Sequence, residues 1–141
     1  MKIKFIIPLT LAIVIGFISA RMFYSLFNIE EDIKNNSYFI QIGAYTDKSV
    51  LDSVTKDLKA YITVDEGGKN YVYVGITTDK DNSLKIKKMY EEKGYNVYIK
   101  ENYISNMTFY SNLVQYDILL SEVTKEEDLI SISKVILSSY E

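Results

Sequence analysis

The sequence predicts an α+β fold of order βαββαβ: a ferredoxin-like sandwich with four antiparallel strands and two helices on one face. Three observations carry that expectation. Residues 40–48, IQIGAYTDK, return as VYVGITTDK at residues 72–80. Each copy alternates apolar and polar residues up to a glycine, the period of a half-buried strand. Each closes on Thr-Asp-Lys before a helix-patterned run, where Thr and Asp supply N-cap chemistry.

The elements follow in order. Residues 38–44 form a first strand that ends at Gly43, with Ile40 and Ile42 on one face and Phe39 and Gln41 on the other. A helix from residue 47 or 48 to 60 presents Val50, Leu51, Val54 and Leu58 as one apolar stripe. Residues 61–64 give a short second strand, and Asp65-Glu66-Gly67-Gly68 a solvated turn rather than a metal or catalytic pair. The third strand, residues 70–76, ends at Gly75 and sets Val72 and Val74 against Tyr71 and Tyr73. A second helix over residues 80–93 stops at Gly94 and turns Ile86, Met89 and Tyr90 inward. Residues 95–101 complete the sheet, Val97 and Ile99 inward, Tyr98 and Lys100 outward. Ile40, Ile42, Ile62, Val64, Val72, Val74, Val97 and Ile99 then make the core beneath the helices.

The opposite face carries Phe39, Gln41, Tyr71, Tyr73 and Tyr98. Wet sheet faces are normally dominated by small and charged groups, so this row needs a reason. Saccharide rings stack their C–H faces on aromatics, and an amide such as Gln41 both donates and accepts to hydroxyls and acetamides. The alternatives are that the C-terminal tail covers the face, making the aromatics core, and that Gln41 only bridges strands.

Outside the repeat, Lys2 and Lys4 precede an apolar run over residues 5–27, broken in charge only by Arg21. A bilayer core of about 30 Å needs about 20 helical residues, so residues 1–27 are expected to anchor the chain in the cell membrane as a single pass. The basic flank places the N-terminus in the cytoplasm and the rest outside. A cleaved secretory signal ending at Ala20 is the alternative. Residues 28–37 form a polar linker. Residues 102–141 form a tail with helical character over 109–120. A capping box follows, Thr124 to Glu127, opening an amphipathic helix through Leu129, Ile132, Ile136 and Tyr140. That helix must pack on the domain, the membrane or a partner.

Composition narrows the chemistry. The chain of 141 residues has thirteen Tyr but no Cys, His or Trp. It therefore has no thiol nucleophile, no imidazole base and no usual zinc ligands, and neither an enzyme nor a metal or cofactor site is expected. Residues 38–101 balance ten Lys against ten Asp and Glu, while residues 102–141 set two Lys against six acids. Nucleic-acid binders need a basic excess to neutralise phosphate, so nucleic acid is not an expected partner. Lys85, Lys87 and Lys88 read as a solvated helix face.

Residues 38–101 resemble a SPOR domain, the sporulation-related repeat of bacterial envelope proteins. The likeness rests on an aromatic (Tyr38 or Phe39) followed by Gln41, Gly43 and Tyr45, on Val72-Tyr73-Val74-Gly75 after a Gly-Gly turn, and on Gly94-Tyr95 before the last strand. It implies a ferredoxin-like fold that binds peptidoglycan, in particular septal glycan strands stripped of stem peptides, in division or sporulation. The helix-free sheet face would be the binding surface, with Gln41, Tyr71 and Tyr73 on it. Two departures bear on the ligand: Tyr71 stands where Arg is common, and Ile76 follows Gly75 where Pro is common. Losing Arg removes a forked cation that could meet sugar carboxylates. The alternative function is a protein–protein module whose sheet face or tail helix docks a divisome or other envelope partner.

Overall fold

Eight elements follow one another in a computed structural model that describes Gly16, Ile18, Ser19 and residues 35–140. They are β1 (Asn36–Tyr45), α1 (Lys48–Thr55), β2 (Ile62–Glu66), β3 (Lys69–Thr77), α2 (Lys80–Glu92), β4 (Tyr98–Tyr103), α3 (Met107–Glu122) and α4 (Glu126–Ser139). The expected anchor lies outside the described residues, apart from Gly16, Ile18 and Ser19, which are helical. Among the described residues no helix is long and apolar enough to cross a membrane.

The strands pair antiparallel in the order β2-β3-β1-β4, so β1 and β3 are central as the duplication requires. Gly43 and Gly75 do not end their strands, which run on to Tyr45 and Thr77. Gly75 instead permits close packing: an added Cβ would lie 3.2 Å from Ile86 of α2 and 3.3 Å from Ile40. The hairpin between β2 and β3 turns on Gly67 and Gly68 alone, both at positive φ, with the Gly68 N–H donating to Asp65 at 3.2 Å.

α2 buries Ile86, Met89 and Tyr90 as its stripe predicts. α1 stops at Thr55, five residues early. Asp52, Ser53, Val54 and Thr55 are poor helix formers, and the Thr55 hydroxyl donates back to the Leu51 carbonyl at 2.9 Å. The second strand is also displaced. Ile62 pairs with Tyr73 and Val64 with Tyr71, which moves Ile62 and Val64 off the core side onto the Tyr face.

The C-terminal helices belong to the same compact unit, which begins at Asn35. β1 starts at Asn36, so the expected linker contributes its last residues to the sheet. β2 pairs with β3 only between Ile62↔Tyr73 and Glu66↔Lys69, leaving residues 74–77 of β3 with no strand on that side. α3 and α4 pack against β3, and Val74, Ile76 and Thr77 are fully buried. Along this edge α4 reaches both layers. Leu129 lines a hollow with Met89 of α2, and Tyr140 packs its ring on Phe39 beyond.

The expected capping box does not form. α4 begins at Glu126 behind Lys125, which puts Glu127 one position too early to reach back to Thr124. Glu126, Glu127 and Asp128 stabilise that end through the helix dipole instead.

A buried polar knot ties α3 to the sheet. Asp117 sits among Phe109, Leu113 and Leu120 on the buried side of α3. Its carboxylate accepts from the Thr77 and Thr78 hydroxyls and from the Thr78 N–H at 2.8 Å. The Asn82 amide donates to the Asp117 carbonyl at 2.9 Å. Nearby, the Lys85 ammonium donates to the Leu120 and Val123 carbonyls at 2.6 and 2.9 Å, capping the end of α3. Burial raises the Asp117 pKa above its ordinary 3.8, against the opposing pull of those donors.

Asp117→Ala leaves the Thr78 N–H and two hydroxyls without their acceptor and should cost about 1–3 kcal/mol in urea unfolding. A raised folded pKa means that the unfolded chain gives up the proton first. The wild type should therefore lose stability as pH rises from 3.8 through the folded value and then level off, a decline absent from Asp117→Asn. Parallel pH profiles for the two proteins would remove the assignment.

Candidate functional site

β1 offers Phe39 and Gln41 to the face opposite α2, and its neighbours complete the row. Gln41 lies between Tyr73 of β3 and Tyr98 of β4, while Phe39 lies beside Lys100. The strands thus bring all five expected residues onto one surface. Their accessibility differs sharply.

Phe39 is 1 % exposed and Tyr73 2 %. Their rings meet edge to face at 5.2 Å, Tyr140 closes on Phe39 at 5.4 Å, and Phe109 meets Tyr140 at 5.3 Å. The tail therefore closes over Phe39, Tyr73 is buried beside it, and the expectation that the two present open rings is corrected. Gln41 and Tyr71 are half-buried, and Tyr98 is 61 % exposed. The accessible part of the site runs from Tyr71 past Gln41 to Tyr98.

Three further residues shape the surface. The Lys100 ammonium stands 5.1 Å from the centre of the Tyr71 ring and 3.8 Å from the Glu66 carboxylate. A cation is thus supplied from β4 beside the Tyr71 ring. Its alternation with Tyr98 already placed Lys100 outward; only its distance from Tyr71 in sequence concealed the contact. Nothing local in the sequence pairs Tyr140 with Phe39, a contact between residues a hundred positions apart.

Tyr71 stacks nearly parallel to Tyr73, 6.5 Å apart. The Tyr73 hydroxyl is buried without a hydrogen-bond partner. Burial raises its pKa, and the nearby Lys100 ammonium opposes this. A stacking ring, an amide and a cation side by side can hold a polar ring compound with one apolar face. Among the described residues, no group of three or more Asp and Glu could hold a metal ion.

An orphaned buried hydroxyl costs free energy, so Tyr73→Phe should raise stability by about 1 kcal/mol, read as an upward shift in thermal midpoint. A loss of comparable size would mean that the hydroxyl has a partner in solution.

No family model matches the chain, and no curated protein matches it. Among solved structures, it is similar to the peptidoglycan-binding domain of the B. subtilis cell wall lytic enzyme CwlC, a solution structure. The two are 24% identical over 48% of this chain and 90% of that one, with a TM-score of 0.43.

Proposed function

We propose that the chain is a non-catalytic, membrane-anchored peptidoglycan-binding protein of the bacterial envelope. It holds septal glycan stripped of stem peptides, in division or sporulation, on the Tyr71–Gln41–Tyr98 surface. The observation that carries this reading is Tyr98, a large ring left 61 % exposed, beside the Gln41 amide of β1 and on the same strand as Lys100. A pyranose can lay its apolar C–H face on such a ring while its hydroxyls meet the neighbouring amide. The Gln41, Gly43 and Gly75 motifs that resemble the SPOR repeat point the same way, as does the charged-then-apolar N-terminus expected to export the domain.

The binding role needs no catalyst. Asp117, a carboxylate with a raised pKa, accepts from three donors inside the fold and faces no open site. A second reading, a docking module for an envelope partner, is favoured by one observation. Met107, Val114, Ile118 and Leu119 expose apolar side chains along α3.

Sacculi stripped of stem peptides should retain the protein in a co-sedimentation assay, and Tyr98→Ala should weaken retention about tenfold, the loss of one stacking contact. Retention unchanged by both Tyr98→Ala and Gln41→Ala would sink the site. If sacculi fail to bind while Ile118→Asp disperses the protein from septa in cells, the docking reading prevails.

A further inference from the structure

The ring of Tyr140 occupies ground on the sheet face that is otherwise made for a flat, weakly polar ring. Against it lies Phe39, whose ring meets Tyr73 edge to face at 5.2 Å, with Tyr71 stacked on Tyr73. The Tyr73 hydroxyl is at least nine-tenths buried and meets no partner, though a polar atom seldom stays so without cost. Lys100 stands close by. Rings, an unmatched hydroxyl and a cation form a finished set of contacts for a ligand, filled by a side chain of the protein itself.

Tyr140 is also the most easily displaced part of its helix. α4 proper is anchored by Leu129, Ile130, Ile136 and Leu137, all buried. Tyr140 follows as the C-cap residue, its backbone extended (ψ 122°), tied by one hydrogen bond to Leu137 at 3.3 Å. Swinging it away breaks that long bond and two ring contacts and leaves the helix seated. Helix ends open at small free-energy cost.

We propose that Phe39 and Tyr73 form a second saccharide subsite, occluded by the Tyr140 ring, which a glycan displaces to extend its contact from the Tyr71–Gln41–Tyr98 surface. The ligand class is a pyranose with an apolar C–H face and a hydroxyl or acetamide for Tyr73. The inference rests on the glycan-binding reading and deepens it.

Binding of the full chain to stripped sacculi, and to a soluble N-acetylglucosamine oligosaccharide, tests it. Removing the competing ring should tighten binding: Tyr140→Ala by about two- to tenfold, the worth of one or two aromatic contacts. Tyr140→Phe, which keeps the cover, should match the wild type. Adding Tyr73→Phe to Tyr140→Ala should forfeit part of the gain. Should Tyr140→Ala disturb the fold, amide exchange on the wild type replaces it, and saturating oligosaccharide should speed exchange at Tyr140. If the wild type binds while Tyr140→Ala gains nothing, or if exchange at Tyr140 slows on binding, the occluded subsite is wrong and the open site stands. If neither the wild type nor any variant binds, the glycan reading fails and takes this inference with it.

Discussion

β3 runs nine residues beside a β2 of five, so the lower part of β3 has backbone groups that no neighbouring strand meets. An uncovered strand edge in water invites pairing with another chain. The tail answers that constraint. α3 and α4 lie against β3, and residues above and below the sheet are recruited to hold them there. The Asp117 knot fastens α3 to the β3–α2 turn, and Leu129 and Tyr140 fasten α4 to opposite layers. The accessible surface at Tyr98 and the hidden pair at Phe39 and Tyr73 are two consequences of where that edge cover ends.

What the sequence revealed and what it concealed divide along contact range. The tandem copy exposed β1, β3 and α2 because period and capping are local: Ile86, Met89 and Tyr90 turn inward as their spacing requires, and Asp79 caps α2 by accepting from Asn82. β2 resists local reading because a five-residue strand of Ile, Thr and Val followed by two acids fits either register. Only the pairing with β3 decides which side Ile62 takes. The early end of α1 was latent in Asp52, Ser53 and Thr55, but a hydrophobic stripe through Leu58 masked it.

The site shows the same division. Period-two alternation put Phe39, Gln41, Tyr71, Tyr73 and Tyr98 on one surface, and the strands do bring them together. Alternation cannot report what lies over a surface: Tyr140 packs on Phe39, and Tyr73 is buried beside it. The apolar content of the tail signalled that it had to pack somewhere. Its buried residues fall at Leu129, Ile130, Ser133, Ile136 and Leu137, with Ile132 and Tyr140 partly buried against the same core, so the amphipathic stripe does pack.

Lys85 changes the meaning of the internal repeat. Its ammonium holds the Leu120 and Val123 carbonyls, groups that lie beyond the duplicated region, from a helix inside it. A chain cut after the last strand would leave that cation without its acceptors, Thr77 and Thr78 without Asp117, and an apolar strand edge bare to solvent. The repeat is therefore not a portable module. The smallest unit that can be moved between chains starts at Asn35 and carries both C-terminal helices with it.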